Sequence, residues 1–303
     1  MTNREAVYGA PAAALAPSAA DAIQLSPFVP GARAVEDLAD GSLDRIVVAA
    51  PAGTLERRSV IAHALRALAP DGALIALAPK DKGGSRLGKE LQGFGCAVNE
   101  TSRRHHRICA ARRPADPIDL TGAIAAGAPR LIEGLDLWSQ PGLFAWDRLD
   151  PGSALLLETA PAFAGRGADL GCGMGVLARA VLASPKVTAL TLIDLDRRAI
   201  DAARRNISDA RAAFLQQDLR QPPPTLTDLD FVIMNPPFHE GGGEDKHLGQ
   251  TFIGTAAAML RKGGVCRLVA NVALPYEAAL EHSFATVTFL ARGGGYKVFE
   301  ARR

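Results

Sequence analysis

Apolar residues in this chain fall into two arrangements: short unbroken runs, and longer stretches where they return every third or fourth position. Phe231-Val232-Ile233-Met234, Ile46-Val47-Val48-Ala49 and Ala73 to Leu77 are of the first kind, and Val187 to Ile193 is interrupted only by Thr188 and Thr191. They predict strands buried on both faces. Leu177, Ala180, Val181 and Leu182 keep helical spacing, as do Val60, Ala64, Leu65 and Leu68. Ile253, Ala256, Ala257 and Leu260 mark one face of a helix expected over Gln250 to Leu260. Strands that alternate with helices predict an α/β fold with mostly parallel, Rossmann-like sheets.

The pattern occurs twice. Leu43-Asp44-Arg45-Ile46-Val47-Val48-Ala49-Ala50-Pro51 can be set without a gap against Leu229-Asp230-Phe231-Val232-Ile233-Met234-Asn235-Pro236-Pro237. Both segments lead through a helical pattern to a turn, Pro70-Asp71-Gly72 or Lys262-Gly263-Gly264, and then to another strand. Two domains are therefore expected, at 21–113 and 135–303, joined by a linker over 114–134. The Ala/Pro-rich residues 1–20 read as a flexible, loosely attached segment. Ala49 stands where Asn235 does, and the first half shows no glycine loop, so it reads as a degenerate copy; convergent α/β patterning is the plainer alternative.

Candidate chemistry gathers in the second half. Ala168-Asp169-Leu170-Gly171-Cys172-Gly173-Met174-Gly175-Val176 reads as strand, glycine loop and helix. Gly171, Gly173 and Gly175 let the backbone turn tightly and approach a ligand. Asp194, at the end of the next strand, can accept both hydroxyls of an adenosine ribose. An acid two positions before the first glycine, with no pyrophosphate to place, favours S-adenosylmethionine over NAD. Asp218, ending Phe214-Leu215-Gln216-Gln217, is placed for an adenine amino group, or is simply an exposed turn acid. In Asn235-Pro236-Pro237-Phe238 the Asn235 side-chain oxygen and the Pro236 carbonyl can each take one N–H of an exocyclic amine, while Phe238 stacks on its ring. By itself the tetrapeptide is also a reasonable strand-terminating turn. All four groups fall at the carboxyl ends of successive strands, where parallel sheets bind ligands.

With these residues in place the sequence resembles class I S-adenosylmethionine-dependent methyltransferases. Within them it is similar to the ribosomal RNA guanine-N2 methyltransferases of the RsmC/RlmG type. The narrower resemblance rests on Pro141-Gly142-Leu143-Phe144 with Leu149-Asp150-Pro151-Gly152-Ser153, on Asn235 to Gly241, on Val269 to Tyr276 and on Gly295-Tyr296-Lys297-Val298-Phe299. Glu240 departs from the aspartate expected there. The resemblance implies Asp169, Gly171, Gly173, Asp194 and Asp218 around the cofactor, with Asn235 and Phe238 on the target base. It also implies a reversed C-terminal hairpin, around Ala285–Leu290 and Tyr296–Ala301, and a duplicated, degenerate first domain. An amine methyltransferase acting on adenine N6 or a protein glutamine amide stays open, as does a non-enzymatic RNA-binding or assembly protein.

Composition narrows the partners. At 303 residues and 48% hydrophobic, the chain can build two full cores. It lacks a long apolar run or a basic leader with an apolar core, so neither membrane span nor secretory signal is expected, and a cytoplasmic monomer is. A net charge of +2 leaves RNA binding to local patches. Arg103-Arg104-His105-His106-Arg107 is the candidate, a solvated edge or loop the plainer reading. Gly241 to Asp245, flanked by His239, Lys246 and His247, reads as a lid or a connector. Cys96, Cys109, Cys172 and Cys266 lack paired ligand spacing and read as core thiols, and no metal is expected.

Overall fold

The computed structural model describes residues 4–221, 223, 225–237, 239–240, 243–244 and 246–303. Phe238 lies outside the described residues, as do Gly241, Gly242 and Asp245 of the proposed lid. The chain forms two compact units, one of Met1–Pro129 with Gln140–Gly142, the other of Arg130–Ser139 with Leu143–Arg303.

The first unit holds strands β1 (Glu5–Tyr8), β2 (Ile23–Gln24), β3 (Leu43–Ala49), β4 (Leu68–Pro79), β5 (Val98–Arg103) and β6 (His106–Arg112). Its helices are α1 (Thr54–Ala67), α2 (Ser85–Gly93) and α3 (Leu120–Gly127). The sheet order is β2-β1-β3-β4-β6-β5, parallel through β4 and antiparallel beyond. Ile46, Ile61, Leu65, Leu74 and Leu87 are wholly buried between sheet and helices. Each contributes about 1.5–3 kcal/mol relative to an exposed position.

Within the stretch 1–20, read as flexible, Glu5–Tyr8 form β1 parallel beside β3, and Ala6, Val7, Tyr8 and Ala16 are buried. The Glu5 carboxylate accepts from Ala19 N–H at 2.8 Å and pairs with Arg45, which ties down the stretch between. A four-residue strand in Ala/Pro-rich surroundings takes its stability from non-local pairing, which composition does not register. The 114–134 linker contains α3, whose Ala123 is buried and whose Gly127 lies so close to Ser59 of α1 that a Cβ there would collide with that side chain. Gly127 thus serves close helix packing within the expected linker.

The second unit begins with a hairpin of β7 (Arg130–Ile132) and β8 (Leu137–Ser139). There follow α4 (Pro151–Thr159), β9 (Gly165–Leu170), α5 (Val176–Leu182), β10 (Val187–Asp194), α6 (Arg197–Asn206), β11 (Ala212–Gln216) and β12 (Leu229–Met234). A short pair, β13 (His239–Glu240) and β14 (Gly243–Glu244), precedes α7 (Lys246–Met259), β15 (Leu260–Asn271), α8 (Glu277–Ser283), β16 (Thr286–Gly293) and β17 (Tyr296–Arg302). The large sheet has the order β11-β10-β9-β12-β15-β17-β16, its first five strands parallel. β17 is antiparallel to both β15 and β16, as the reversed hairpin requires. α7 starts at Lys246, four residues before the expected Gln250, and buries Phe252, Ile253, Ala256 and Ala257.

Without β11 the second strand order matches the first, element for element. The registers agree as well. Leu43 opposes Leu68 and Arg45 opposes Ala73 across an irregularity, just as Leu229 opposes Leu260 and Phe231 opposes Val265. The gapless sequence match therefore corresponds to equivalent strands. β1 takes the place of β9, so Tyr8 and Gly9 stand where Leu170 and Gly171 do, and both glycines have positive φ, 80° and 73°. One glycine of the loop from Gly171 to Gly175 thus has a counterpart in the first unit, and Val7 takes the position of Asp169.

Candidate functional site

Hydrogen bonding across the second sheet brings the predicted residues to one rim. Met234 pairs with Leu170, Ile193 with Leu170, and Asp194 with Gln216, so Asn235, the glycine loop, Asp194 and Asp218 follow the ends of four adjacent strands. A Cβ on Gly171 would lie 3.5 Å from the Phe252 ring and 3.8 Å from Pro237 Cδ, which puts the loop directly against the Asn-Pro-Pro turn.

The loop turns through three left-handed glycines, Gly171, Gly173 and Gly175, with φ of 73°, 53° and 91°. A side chain would be strained at each, and at Gly173 nothing occupies the space that a Cβ would take. Asn206 of α6 braces the loop by donating to Met174 O at 2.9 Å. Gly171 and Cys172 N–H donate to Ile193 O, and Gly173 N–H donates to Asp194 Oδ2 at 2.9 Å. Asp194 Oδ1 accepts from Asp196 N–H at 2.9 Å. Each Asp194 oxygen keeps a further lone pair for a hydroxyl donor.

Asp169 is fully buried, and neither of its carboxylate oxygens completes a hydrogen bond of normal geometry among the described residues. Burial, reinforced by the Asp194 carboxylate, pushes its carboxyl up to about 8, with only the Ala178 amide easing the charged form. Burial likewise raises Asp194 to about 6, against the opposing pull of its backbone donors. Two carboxyls held above their usual range, one with orphaned oxygens, suit a ligand that brings positive charge. The ammonium and sulfonium of S-adenosylmethionine fit that requirement, and the empty space at Gly173 suits close approach. Burial also drives the Cys172 thiol upward, so it stays protonated and is a packing group within the loop.

Asp218 is engaged differently. Both its oxygens face the Arg220 guanidinium at 3.0 Å, and that partner holds its carboxyl below the usual range. A donor arriving there shares the carboxylate with Arg220.

Asn235 is held by residues to which the sequence assigned no role. Its Nδ2 donates to Asp150 Oδ2 at 2.9 Å and to Ser153 Oγ at 3.0 Å, which leaves Oδ1 as the acceptor end. Asp150 caps α4, with Pro151 at the first helical position and Ser153 N–H donating to Oδ2 at 2.8 Å. Asp-Pro-x-Ser is a legible helix-start signal, but nothing local in it indicates a contact with Asn235. Two further segments behind the resemblance meet across β15 and β17, where Asn271 pairs with Tyr296 and Lys297 Nζ donates to Glu277 Oε1 at 2.6 Å.

The basic run in the first unit forms the tight turn between β5 and β6, with Arg104 and His105 left-handed at its tip. Arg107 pairs with Glu100 at 2.8 Å and Arg103 donates to Ala14 O at 3.0 Å, so part of that charge serves the fold. All four cysteines are buried and free. Among the described residues no cluster could hold a metal ion, and no helix is long and apolar enough to cross a membrane.

A parallel sheet with a reversed terminal hairpin, carrying this rim of glycines, carboxylates and an amide acceptor, defines a class I S-adenosylmethionine-dependent methyltransferase. The methyltransferase small domain model matches residues 134–300. Over 246 residues the chain is 34% identical to ribosomal RNA small subunit methyltransferase C of Pseudomonas aeruginosa strain LESB58, covering 79% of this chain and 73% of that protein. The protein of the same name from Stutzerimonas stutzeri strain A1501 is 32% identical over 255 residues, 82% of this chain and 76% of its own. Among solved structures, the T. thermophilus 16S ribosomal RNA N2 methyltransferase RsmC, in complex with AdoMet and guanosine, superposes with a TM-score of 0.73 at 27% identity, covering 89% of this chain and 76% of that one. The chain belongs to the methyltransferase small domain family and, within it, to the RsmC type.

Proposed function

We propose that this protein transfers a methyl group from S-adenosylmethionine to the exocyclic N2 amine of a guanine in small-subunit ribosomal RNA. The observation that carries the reading is the Asn235 amide, whose two N–H groups are spent on Asp150 and Ser153 so that its oxygen is left as the acceptor, on a turn whose Pro237 borders Gly171. The names and ligands of the relatives support the choice of guanine and of ribosomal RNA over adenine or a glutamine amide.

Bound S-adenosylmethionine supplies a methyl group on a sulfonium leaving group. Gly171, Gly173 and Gly175 would cradle it, Asp194 would accept its ribose hydroxyls, Asp218 its adenine amine, and Asp169 would face its positive charge. Asn235 Oδ1 and the Pro236 carbonyl would accept the two N–H bonds of the guanine amine. That contact localises a nitrogen lone pair otherwise delocalised into the ring and aims it at the methyl group. Positioning is the main catalytic effect, and the amine loses its proton to solvent after the methyl has arrived. Phe238, outside the described residues, is assigned to stacking on the base. The first unit serves RNA recognition or supports folding and binds no cofactor of its own. A monomer working in the cytoplasm, where its RNA is, completes the reading.

Mass mapping of modified nucleotides in small-subunit RNA from a deletion strain is the direct test. One N2-methylguanine should vanish and return with the wild-type gene. An unchanged guanine pattern, or a loss on adenine or on a protein glutamine, would reject the assignment.

The raised carboxyls give a second expectation, with a definite sign. A carboxyl near 8 is protonated at pH 7, and an approaching cation lowers it, so cofactor binding should release about one proton. Without ligand the sign for folding is the reverse of a salt-bridged carboxylate. Protonation favours the folded state, and stability should fall as pH climbs from about 4 through the raised values. Calorimetry in buffers of different ionisation enthalpy reads the released proton, and Asp169→Asn should abolish it. Equal enthalpies in all buffers would show that Asp169 is already ionised.

A further inference from the structure

We infer that Asp150, aided by Ser153, is a positioning residue that selects which end of the Asn235 amide faces the target amine. The inference rests on the acceptor role just given to Asn235. A primary amide has two ends of nearly equal shape, and a half-turn about its last torsion exchanges the acceptor for a donor. In the wrong orientation an N–H would meet the N–H of the incoming amine, and the lone pair would be turned away from the methyl group.

Asp150 removes that ambiguity because an ionised carboxylate can only accept. Its Oδ2 stands 2.9 Å from Asn235 Nδ2, and a flipped amide would set oxygen against oxygen. Ser153 Oγ accepts the second N–H at 3.0 Å, so both donors are occupied and Oδ1 alone is left for the amine. A charge-assisted bond to the amide N–H also draws electron density toward Oδ1, which strengthens it as an acceptor.

The selector is itself immobilised. Asp150 is 6% exposed, and its Oδ2 caps α4 through Ser153 N–H. The Tyr296 hydroxyl reaches Oδ1 at 3.4 Å, and a Cβ on Gly152 would stand 2.7 Å from the Tyr296 ring. Gly152 therefore lets β17 and the start of α4 close around the carboxylate. Asp150 and Asn235 are 85 positions apart in the chain, and each is fixed by its own element.

The test uses the full chain, with small ribosomal subunits from a deletion strain as substrate. Asp150→Ser keeps a hydroxyl to cap α4 but does not reach Asn235. It should lower the single-turnover rate about tenfold to a hundredfold, with cofactor affinity and the KM for subunits within about twofold. Asp150→Asn keeps a carbonyl able to accept from both Ser153 N–H and Asn235 Nδ2, and should recover the rate to within about fivefold of wild type. Should Asp150→Ser fold poorly, Ser153→Ala leaves the cap intact and should still slow transfer about threefold or more. Asn235→Ala is run beside them. If it is inactive while Asp150→Ser and Ser153→Ala turn over at the wild-type rate per bound cofactor, the selector role is overturned and the acceptor reading stands. A merely structural Asp150 would reduce the number of cofactor sites and leave the rate per site unchanged, which also overturns it. If Asn235→Ala itself remains active, the acceptor reading beneath the inference fails.

Discussion

Asn235→Ala is expected to slow methyl transfer by about two to three orders of magnitude, the range found when one preorganised polar group facing the reacting centre is removed. Cofactor affinity should stay within about twofold, because the reading assigns the ribose and adenine to Asp194 and Asp218, at the ends of other strands. The loss should appear in the rate at saturating substrate more than in KM, since the acceptor contact sharpens as the amine nitrogen rehybridises toward attack. Asn235→Asp is an informative companion. It keeps acceptor oxygens of the same shape but sets a carboxylate against that of Asp150, so it should either lose activity or take up a proton to regain it. Single-turnover methylation alongside calorimetry with the cofactor separates the two effects, and near-wild-type transfer by Asn235→Ala would remove the acceptor mechanism.

The largest effect on stability is expected in the first unit. Arg57 is fully buried, and its guanidinium meets the Glu90 carboxylate at 2.7 and 2.6 Å. It also donates to Pro51 O at 3.0 Å and to Ala52 O at 2.6 Å. In the gapless alignment Pro51 and Ala52 fall opposite Pro237 and Phe238, so where the second unit carries its Asn-Pro-Pro turn the first carries a guanidinium. Arg57→Ala would strand a buried carboxylate and two backbone acceptors. It should cost about 3–5 kcal/mol. Replacing the pair together, Arg57→Met with Glu90→Leu, should cost much less, because no unpaired charge remains. Denaturant unfolding followed by a probe in the first unit would read both, and a cost below about 1 kcal/mol for Arg57→Ala would show that the site relaxes or takes up water.

What the sequence made legible was what is local. Glycines that need left-handed backbone, a strand ending in Asn-Pro-Pro, short apolar runs and helical periods are written in consecutive residues, and the rim of Asp169, Gly171, Asp194, Asp218 and Asn235 followed from them together with the rule for parallel sheets. The repeat was legible because Leu43 to Pro51 and Leu229 to Pro237 keep the same spacing through the same irregularity in pairing. β1 was missed because four residues flanked by alanine and proline carry almost no period, and their strand exists only against β3. α3 was missed for a related reason, since small residues that pack on Ser59 look like a linker in composition. The hold of Asp150 on Asn235 and the pairing of Arg57 with Glu90 are contacts between distant segments, which no periodicity encodes. In the basic run the charge is legible, but the commitment of Arg107 to Glu100 is a contact between facing strands and is not.

The position of β17 bears on the order in which the protein can be made. This strand is made after β16, yet it lies between β15 and β16 and presents Tyr296 to Asp150. The second sheet therefore cannot close, nor can the carboxylate beside Asn235 gain its phenol partner, before residue 302 has left the ribosome. The first unit has all its sheet strands by Arg112. At ordinary rates of synthesis, roughly ten to forty seconds separate the two events. From the emergence of β15 until β17 follows it, β15 has an open edge, and the nascent chain carries a formed first unit while its methyltransferase sheet is still incomplete.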